Sequence, residues 1–182
     1  MPTSRPVLAP EVVLRGAAIH FARHCTLDMD LLATELAVSR ATLYRAVGSR
    51  DKLLGEVFGM ISRRLFQIAR ARVGRVGGAE DVLAVTRSFV GMLELAHPLR
   101  TFMAEEPQIA ARVLFTTAGD VMRRSVAEQA QIFREAGVGG PQPLGRALLY
   151  VRLVESVIFA ELLGAGPVEL ADAEPALRAL LE

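Results

Sequence analysis

The sequence of 182 residues contains one cysteine, Cys25, and no tryptophan. One cysteine cannot form a disulfide within the chain, so nothing in the sequence indicates an oxidising compartment. No apolar run approaches the roughly 18 residues that a transmembrane helix needs. The first ten residues hold three prolines and lack the apolar segment of a signal peptide. We therefore expect a soluble, cytoplasmic protein.

The net charge is also low, because 21 basic and 20 acidic residues give a total of +1. Its distribution is uneven. Residues 1–72 hold 11 basic and 6 acidic side chains, or +5, and the remainder holds 10 and 14, or −4. Such an asymmetry is typical of a protein whose first part meets a polyanion. A chance imbalance at a chosen cut is the alternative.

Leucine, alanine, arginine and glutamate are abundant, whereas aromatics make up 5% of the chain, which predicts an all-α fold. Apolar spacings of three and four residues predict a first helix at about 10–25, then a helix, a turn and a second short helix, and a long helix at about 51–72. Prolines and glycines separate six further helices, predicted at about 79–96, 98–105, 107–117, 120–136, 143–163 and 169–181.

The segment SRATLYRAV forms the second short helix of this helix-turn-helix. Its predicted outer face carries Ala41, Thr42, Tyr44 and Arg45, with Arg40 beside them at the first turn. Arginine can bind guanine through two hydrogen bonds, a threonine methyl can contact thymine, and tyrosine can reach a phosphate. An ordinary solvated helix face would have a similar pattern, but the basic surroundings favour DNA binding.

Three segments resemble the DNA-binding domain of TetR-family transcriptional regulators: AAIHFA, LLATELAVSRATLYRAV and GSRDKLL. The resemblance implies a three-helix DNA-binding domain at 1–55 and a helical ligand-binding and dimerisation domain at 56–182, joined by the long helix. It also implies a set of DNA contacts, namely Ser39, Arg40, Thr42, Tyr44, Arg45 and Lys52. Lys52, the only lysine, is the expected phosphate contact, because helix N-termini favour anions.

Three positions depart from the family pattern. Ala37 replaces the turn glycine, Val47 replaces an aromatic residue at the end of the recognition helix, and Arg5 is the only cation before the first helix. Within the family, the short arm and the compact second part resemble regulators of lactone-degrading quorum-quenching operons.

The second part of the chain is rich in methionine and phenylalanine, which pack in cores but also line adaptable ligand cavities. Glu155 interrupts an apolar stripe, where it either faces a cavity or pairs with Arg152 three residues earlier. We expect a small, mostly apolar effector whose polar head donates to Glu155. The predicted ligand-binding residues are Phe89, Met92, Met103, Phe115, Met122, Tyr150, Glu155 and Phe159.

His20, His24 and Cys25 have a spacing that metal sites use, but a zinc site would need further ligands. We expect no metal, cofactor or catalytic residue. The expected function is that of a homodimeric repressor that binds a near-palindromic operator and dissociates when its effector binds. The predicted dimer surface comprises the last two long helices, through Leu148, Val151, Ile158 and Leu162. The alternatives are a helical small-molecule binding protein without DNA function and, third, an enzyme.

Overall fold

The computed structural model describes residues 9–116 and 121–182, and every regular element in these ranges is a helix. Arg5 and the predicted helix ends at 117 and 120 lie outside the described residues. Within these ranges, no helix is long and apolar enough to cross a bilayer. The predicted all-α fold is therefore confirmed for the described residues.

Four helices make up the first part of the chain: α1 (Pro10–His24), α2 (Met29–Glu35), α3 (Arg40–Val47) and α4 (Arg50–Val73). Side chains cap three of them. Asp28 accepts hydrogen bonds from two backbone N–H groups of α2, Ser39 accepts one from Thr42, and Ser49 accepts one from Lys52. These caps satisfy N–H groups that have no partner within a helix.

Six helices follow: α5 (Ala79–Glu94), α6 (His97–Glu105), α7 (Pro107–Phe115), α8 (Val121–Ala136), α9 (Pro143–Ile158) and α10 (Leu170–Ala179). Most bounds lie within two residues of the predicted ones. The exception is α9, which was predicted to continue to 163. It ends at Ile158, because Phe159 leaves the helical conformation with φ of −111° and ψ of 21°. Phe159 and Ala160 are buried there, and the Phe159 ring lies 5.4 Å from that of Phe115.

Two clusters of buried side chains form the core. One joins α1–α4 to side chains of α6 and α7, including Phe102 and Val113. The other joins α5, α8, α9 and α10 around Phe133 and Tyr150, whose rings meet edge to face at 5.3 Å. On the surface, Arg87 of α5 holds Glu174 of α10 through two hydrogen bonds of 2.5 and 2.8 Å. The first cluster thus packs the N-terminal helices directly against the second part of the chain.

Candidate nucleic-acid interface and ligand cavity

The recognition helix α3 is anchored by Leu43, which is fully buried, while most of its other side chains remain accessible. Ser39 and Arg40 are exposed, and Thr42 and Tyr44 are half-buried. The guanidinium of Arg40 donates to Asp30 at 2.9 Å and lies 5.4 Å from the centre of the Tyr44 ring. These contacts orient Arg40 along the surface of the helix-turn-helix.

Arg45 and Lys52 complete the predicted set of DNA contacts, and both are exposed. Arg45 donates from Nε to the carbonyl of Ala41 at 3.2 Å and from its terminal nitrogen to Thr42 at 3.3 Å. Lys52 lies in the first turn of α4, where backbone N–H groups and the lysine charge favour a phosphate. The six predicted residues therefore lie along α3, including its N-cap, and in the first turn of α4.

The turn between α2 and α3 contains Ala37 with φ of +53°. An L-residue with a β-carbon is strained in this left-handed region, whereas glycine is not. The substitution noted in the sequence has therefore preserved the turn conformation at some cost in stability.

A cavity of about 220 Å³ lies between α4, α5, α8 and α9 and reaches α1 and α6. Four of the eight predicted ligand-binding residues line it, namely Phe89, Tyr150, Glu155 and Phe159. Further lining residues that the prediction did not include are Ser62, Phe66, Thr86, Ser125, Glu128 and Gln129. The volume is smaller than that of typical drug-binding pockets, which favours a small effector.

The other four predicted ligand-binding residues do not line this cavity. Met92 and Met122 pack against the second core cluster, and Phe115 packs against the first. Met103 instead lines an open groove between α6 and the segment after α9. The reason is helix phase, because Leu93 and Val121, one position away from Met92 and Met122, point into the cavity. Composition indicated a cavity, but it did not indicate which helix face was turned inward.

Tyr150 and Thr86 form a directed pair inside the cavity wall. Thr86 donates its hydroxyl to the Val82 carbonyl at 3.0 Å, so it accepts from Tyr150 at 2.8 Å. The Tyr150 oxygen retains capacity to accept a hydrogen bond from a ligand. Burial raises the pKa of Tyr150 to about 12, so the phenol is neutral at physiological pH.

Glu155 was expected either to face a cavity or to pair with Arg152, and it does both. It lines the cavity, and its carboxylate accepts a hydrogen bond from Arg152 at 3.2 Å. Its side chain is 13% exposed. Burial raises the pKa of Glu155 above its usual value, although Arg152 opposes the shift. Burial likewise raises the pKa of Glu128, against Arg63 and Arg124. Two carboxyl groups whose pKa values are raised by burial thus lie at one cavity.

His20, His24 and Glu35 form a cluster. One atom of each side chain that could bind a metal lies within 4.8 Å of the corresponding atoms of the other two. His20 is fully buried, and its Nε2 accepts from the Asp28 N–H at 3.3 Å. Its Nδ1 therefore carries the hydrogen and donates to Glu35 at 2.8 Å. In this arrangement His20 has no free lone pair for a metal and ties α1 to both ends of α2.

The outward face of α9 differs from the predicted dimer stripe. Val151 and Ile158 line the cavity, so that part of the prediction is wrong. Leu144, Leu148 and Leu149 are instead 62%, 43% and 57% exposed. The predicted stripe combined two adjacent faces, since Val151 and Ile158 turn toward the cavity, whereas Leu144, Leu148 and Leu149 are exposed.

Two comparisons with known proteins agree with this helical architecture. Residues 77–182 match the family described as the tetracyclin repressor-like C-terminal domain. The chain is also similar to the solved structure of the R. erythropolis transcriptional repressor QsdR from the TetR family, with a TM-score of 0.86 and 28% identity. That similarity covers 94% of this chain and 93% of the other. No curated protein sequence matches the chain.

Proposed function

This chain belongs to the TetR family of transcriptional regulators, and we propose that it is a homodimeric repressor that leaves its operator when a small, mostly apolar effector binds. The observation that carries the DNA-binding part is the exposed set Ser39, Arg40 and Arg45 on a capped recognition helix, with Lys52 beside it. Side chains of these types bind base edges and phosphates in a major groove.

Within this proposal the contacts have separate tasks. Arg45 and Arg40 read base edges, because exposed guanidinium groups can form paired hydrogen bonds with guanine. Ser39, Thr42 and Tyr44 contribute hydroxyl groups for bases or phosphates. Lys52 binds a phosphate without reading sequence. The basic N-terminal third of the chain attracts the DNA backbone at longer range.

Effector binding takes place in the cavity lined by Phe89, Tyr150, Glu155 and Phe159. A ligand changes an equilibrium between conformations only if it binds one of them more tightly. The effector therefore favours a conformation in which the two recognition helices of the dimer no longer match successive major grooves, about 34 Å apart.

A dimer would supply the two recognition helices that this spacing requires. The outward face of α9 carries three exposed leucines, Leu144, Leu148 and Leu149, and α10 lies beside it. Apolar side chains grouped on one face are typical of an interface between subunits. Two copies joined there would bind a near-palindromic operator with one recognition helix in each half-site.

Salt-dependent binding to double-stranded DNA tests this function. We expect the logarithm of the association constant to fall linearly with the logarithm of salt concentration, because phosphate contacts release counterions. Wild-type protein would be titrated against fluorescently labelled duplex DNA at several salt concentrations. Absence of binding at the lowest salt concentration, with the dimer intact, would instead favour a small-molecule binding protein without DNA function.

A further inference from the structure

One end of the cavity carries hydrogen-bonding groups. Phe58 and Phe66 of α4 both line the cavity and are eight residues apart, so the space extends for about 12 Å along that helix. Arg70, one turn beyond Phe66, contacts Glu135 of α8, Tyr150 packs on Phe133, and Thr86 bonds to Tyr150. Thr86, Gln129 and Tyr150 therefore lie toward the Phe66 end, and Gln129 is 5% exposed. This distal end offers an amide and a phenol oxygen to a ligand.

The opposite end meets the DNA-binding helices and is apolar. Phe21 and Ala22 of α1 line it, together with Phe58 of α4 and with Pro98 and Leu99 of α6. The polar lining residues of α8 and α9 lie at least one helical turn from this end, because Val121 and Phe159 stand between. A ligand with one polar head therefore has one favourable orientation in the cavity.

Three rings pack together at the apolar end. Phe21 lies 5.2 Å from Phe58, Phe58 lies 5.5 Å from Phe102, and Phe21 lies 5.6 Å from Phe102, all edge to face. Phe102 is fully buried on α6. This ring cluster joins α1, α4 and α6, and two of its members also form the cavity wall. A tail that fills the cavity therefore presses on the packing between the DNA-binding helices and α6.

Arg50 links the same elements through polar contacts. Its Nε donates to the Leu27 carbonyl at 2.7 Å, and its terminal nitrogen donates to Thr26 at 3.0 Å and to Glu106 at 2.7 Å. Glu106 stands between α6 and α7, and Thr26 precedes α2. The hydrogen bond from Arg50 lowers the pKa of Glu106, so this carboxylate is ionised at neutral pH. Separation of α6 from α4 would break this contact.

The charged residues that line the cavity restrict the chemistry of the ligand's polar head. Among the described residues that line it there is no lysine, arginine or histidine, whereas Glu128 and Glu155 both line it. An anionic head would lose its hydration and meet two carboxyl groups. The arginines nearest to these carboxyl groups do not line the cavity, and Arg152 already donates to Glu155. A head that donates hydrogen bonds would gain acceptors in Glu155 and the Tyr150 oxygen.

We propose that the effector is a single-chain amphiphile whose non-anionic, hydrogen-bond-donating head lies near Gln129, Tyr150 and Glu155, whose tail ends at the Phe21, Phe58 and Phe102 ring cluster, and whose tail length determines operator release. The proposal rests on the proposed function for its DNA readout. A short tail fits within the cavity. A longer tail displaces the rings, separates α6 from α1 and α4, and breaks the contact between Arg50 and Glu106.

Straight-chain alcohols, amines and carboxylates from butyl to decyl test the head chemistry without DNA. Each would compete with N-phenyl-1-naphthylamine, an apolar fluorescent probe, for the purified wild-type protein. We expect alcohol or amine affinity to rise about fourfold per methylene while the chain remains inside the cavity. We expect carboxylates of equal length to bind at least tenfold more weakly. Equal or tighter carboxylate binding would overturn the assignment of the head.

Operator release by the same alcohols tests the role of the tail. At equal occupancy, short alcohols should leave the labelled operator bound and longer ones should release it. Val121→Leu adds one methylene at a cavity-lining position that is 8% exposed, and it should shift release to shorter alcohols. Val168→Leu, the same change at a position that is 41% exposed, is the control and should respond as wild type does. Release that is independent of chain length, or identical responses of the two variants, would overturn the proposal.

The outcomes separate this proposal from the proposed function. If wild type binds DNA but no member of the three series displaces the probe, the amphiphile proposal is wrong and DNA binding stands. If wild type binds no DNA, the proposed function fails, and with it the proposed role of the tail, whereas the probe competition still decides the chemistry of the head.

Discussion

At the scale of single residues, the most informative position is Ala37, whose backbone lies in the left-handed region. Natural turns of this kind favour glycine because the β-carbon of an L-residue meets the neighbouring carbonyl. The sequence identified the position as unusual, since a glycine is expected there. It did not determine whether the turn had kept its conformation or changed it, and the observed φ shows that the conformation is kept.

Replacing this residue should stabilise the fold. We expect Ala37→Gly to raise the free energy of unfolding by about 1 kcal/mol, because relief of left-handed strain exceeds the entropy that glycine adds to the unfolded chain. Chemical denaturation would measure the change. Ala127→Gly, on an exposed position of α8, should instead lower the free energy by about 1 kcal/mol. A loss of stability in Ala37→Gly would contradict the strain argument.

Glu155 gives a second prediction at this scale. Its raised pKa means that folding disfavours the ionised form, so the penalty is present at neutral pH and disappears as pH falls below the ordinary value of 4.5. We therefore expect Glu155→Gln to raise Tm at pH 7 and to lose this advantage at pH 4. Thermal denaturation at both pH values, with exposed Glu161→Gln as the control, checks it. An advantage that grows on acidification would refute this reasoning.

The candidate cavity shows how far sequence reasoning reached for individual side chains. Phe89, Tyr150, Glu155 and Phe159 were predicted and line it. Residue type could not separate them from Met92, which lies on the adjacent face of α5. Glu128 carried no signal in the sequence, because a glutamate on an amphipathic helix normally faces water. Tertiary packing alone turned it toward the cavity.

At the scale of elements, the helix-turn-helix and the long helix α4 were predicted closely because caps and breakers mark their ends. Ser39 and Ser49 cap α3 and α4, and Gly48 separates the two helices. The end of α9 was less predictable, since no proline or glycine stands at Ile158. Phe159, the first residue after α9, is buried and its ring packs against Phe115, and such a contact between distant segments leaves no local pattern.

The recognition helix supplies the third prediction. We expect Arg45→Ala to weaken binding to a selected operator by about 1 to 3 kcal/mol, because an exposed guanidinium that reads a base is lost. Fluorescence anisotropy titrations would measure the loss, and an unchanged Tm would show that the fold persists. Arg45 suits this test better than Tyr44, whose ring also packs against the first core cluster. An unchanged affinity for the operator would show that Arg45 does not contribute to the DNA interface.

Lys52 should behave differently from Arg45. We expect Lys52→Ala to weaken binding to specific and random DNA by a similar factor and to reduce the salt slope by about one, because one phosphate contact is lost. The measurement is a salt titration on both DNA types with each variant. A loss confined to the operator, at an unchanged slope, would assign Lys52 to base reading instead.

At the scale of the whole molecule, the outward leucines of α9 give the fifth prediction. We expect Leu148→Glu to convert the dimer into monomers and to weaken operator binding, because a single half-site supplies few contacts. Light scattering at micromolar concentration would report the mass. Leu95→Glu, at a leucine that is 85% exposed outside α9, should remain dimeric. A monomeric wild type, or a dimeric Leu148→Glu variant, would place the interface elsewhere.

The central claim is that two copies of the chain bind one operator through their recognition helices. Selection of genomic DNA fragments by the purified wild-type protein tests it most directly, with sequencing of the fragments that remain bound. We expect enriched fragments to share a near-palindromic site whose half-site centres lie about one helical turn of DNA, or a multiple of it, apart. Recovery of fragments with no shared sequence, at the same frequency as with an Arg45→Ala variant, would contradict the claim.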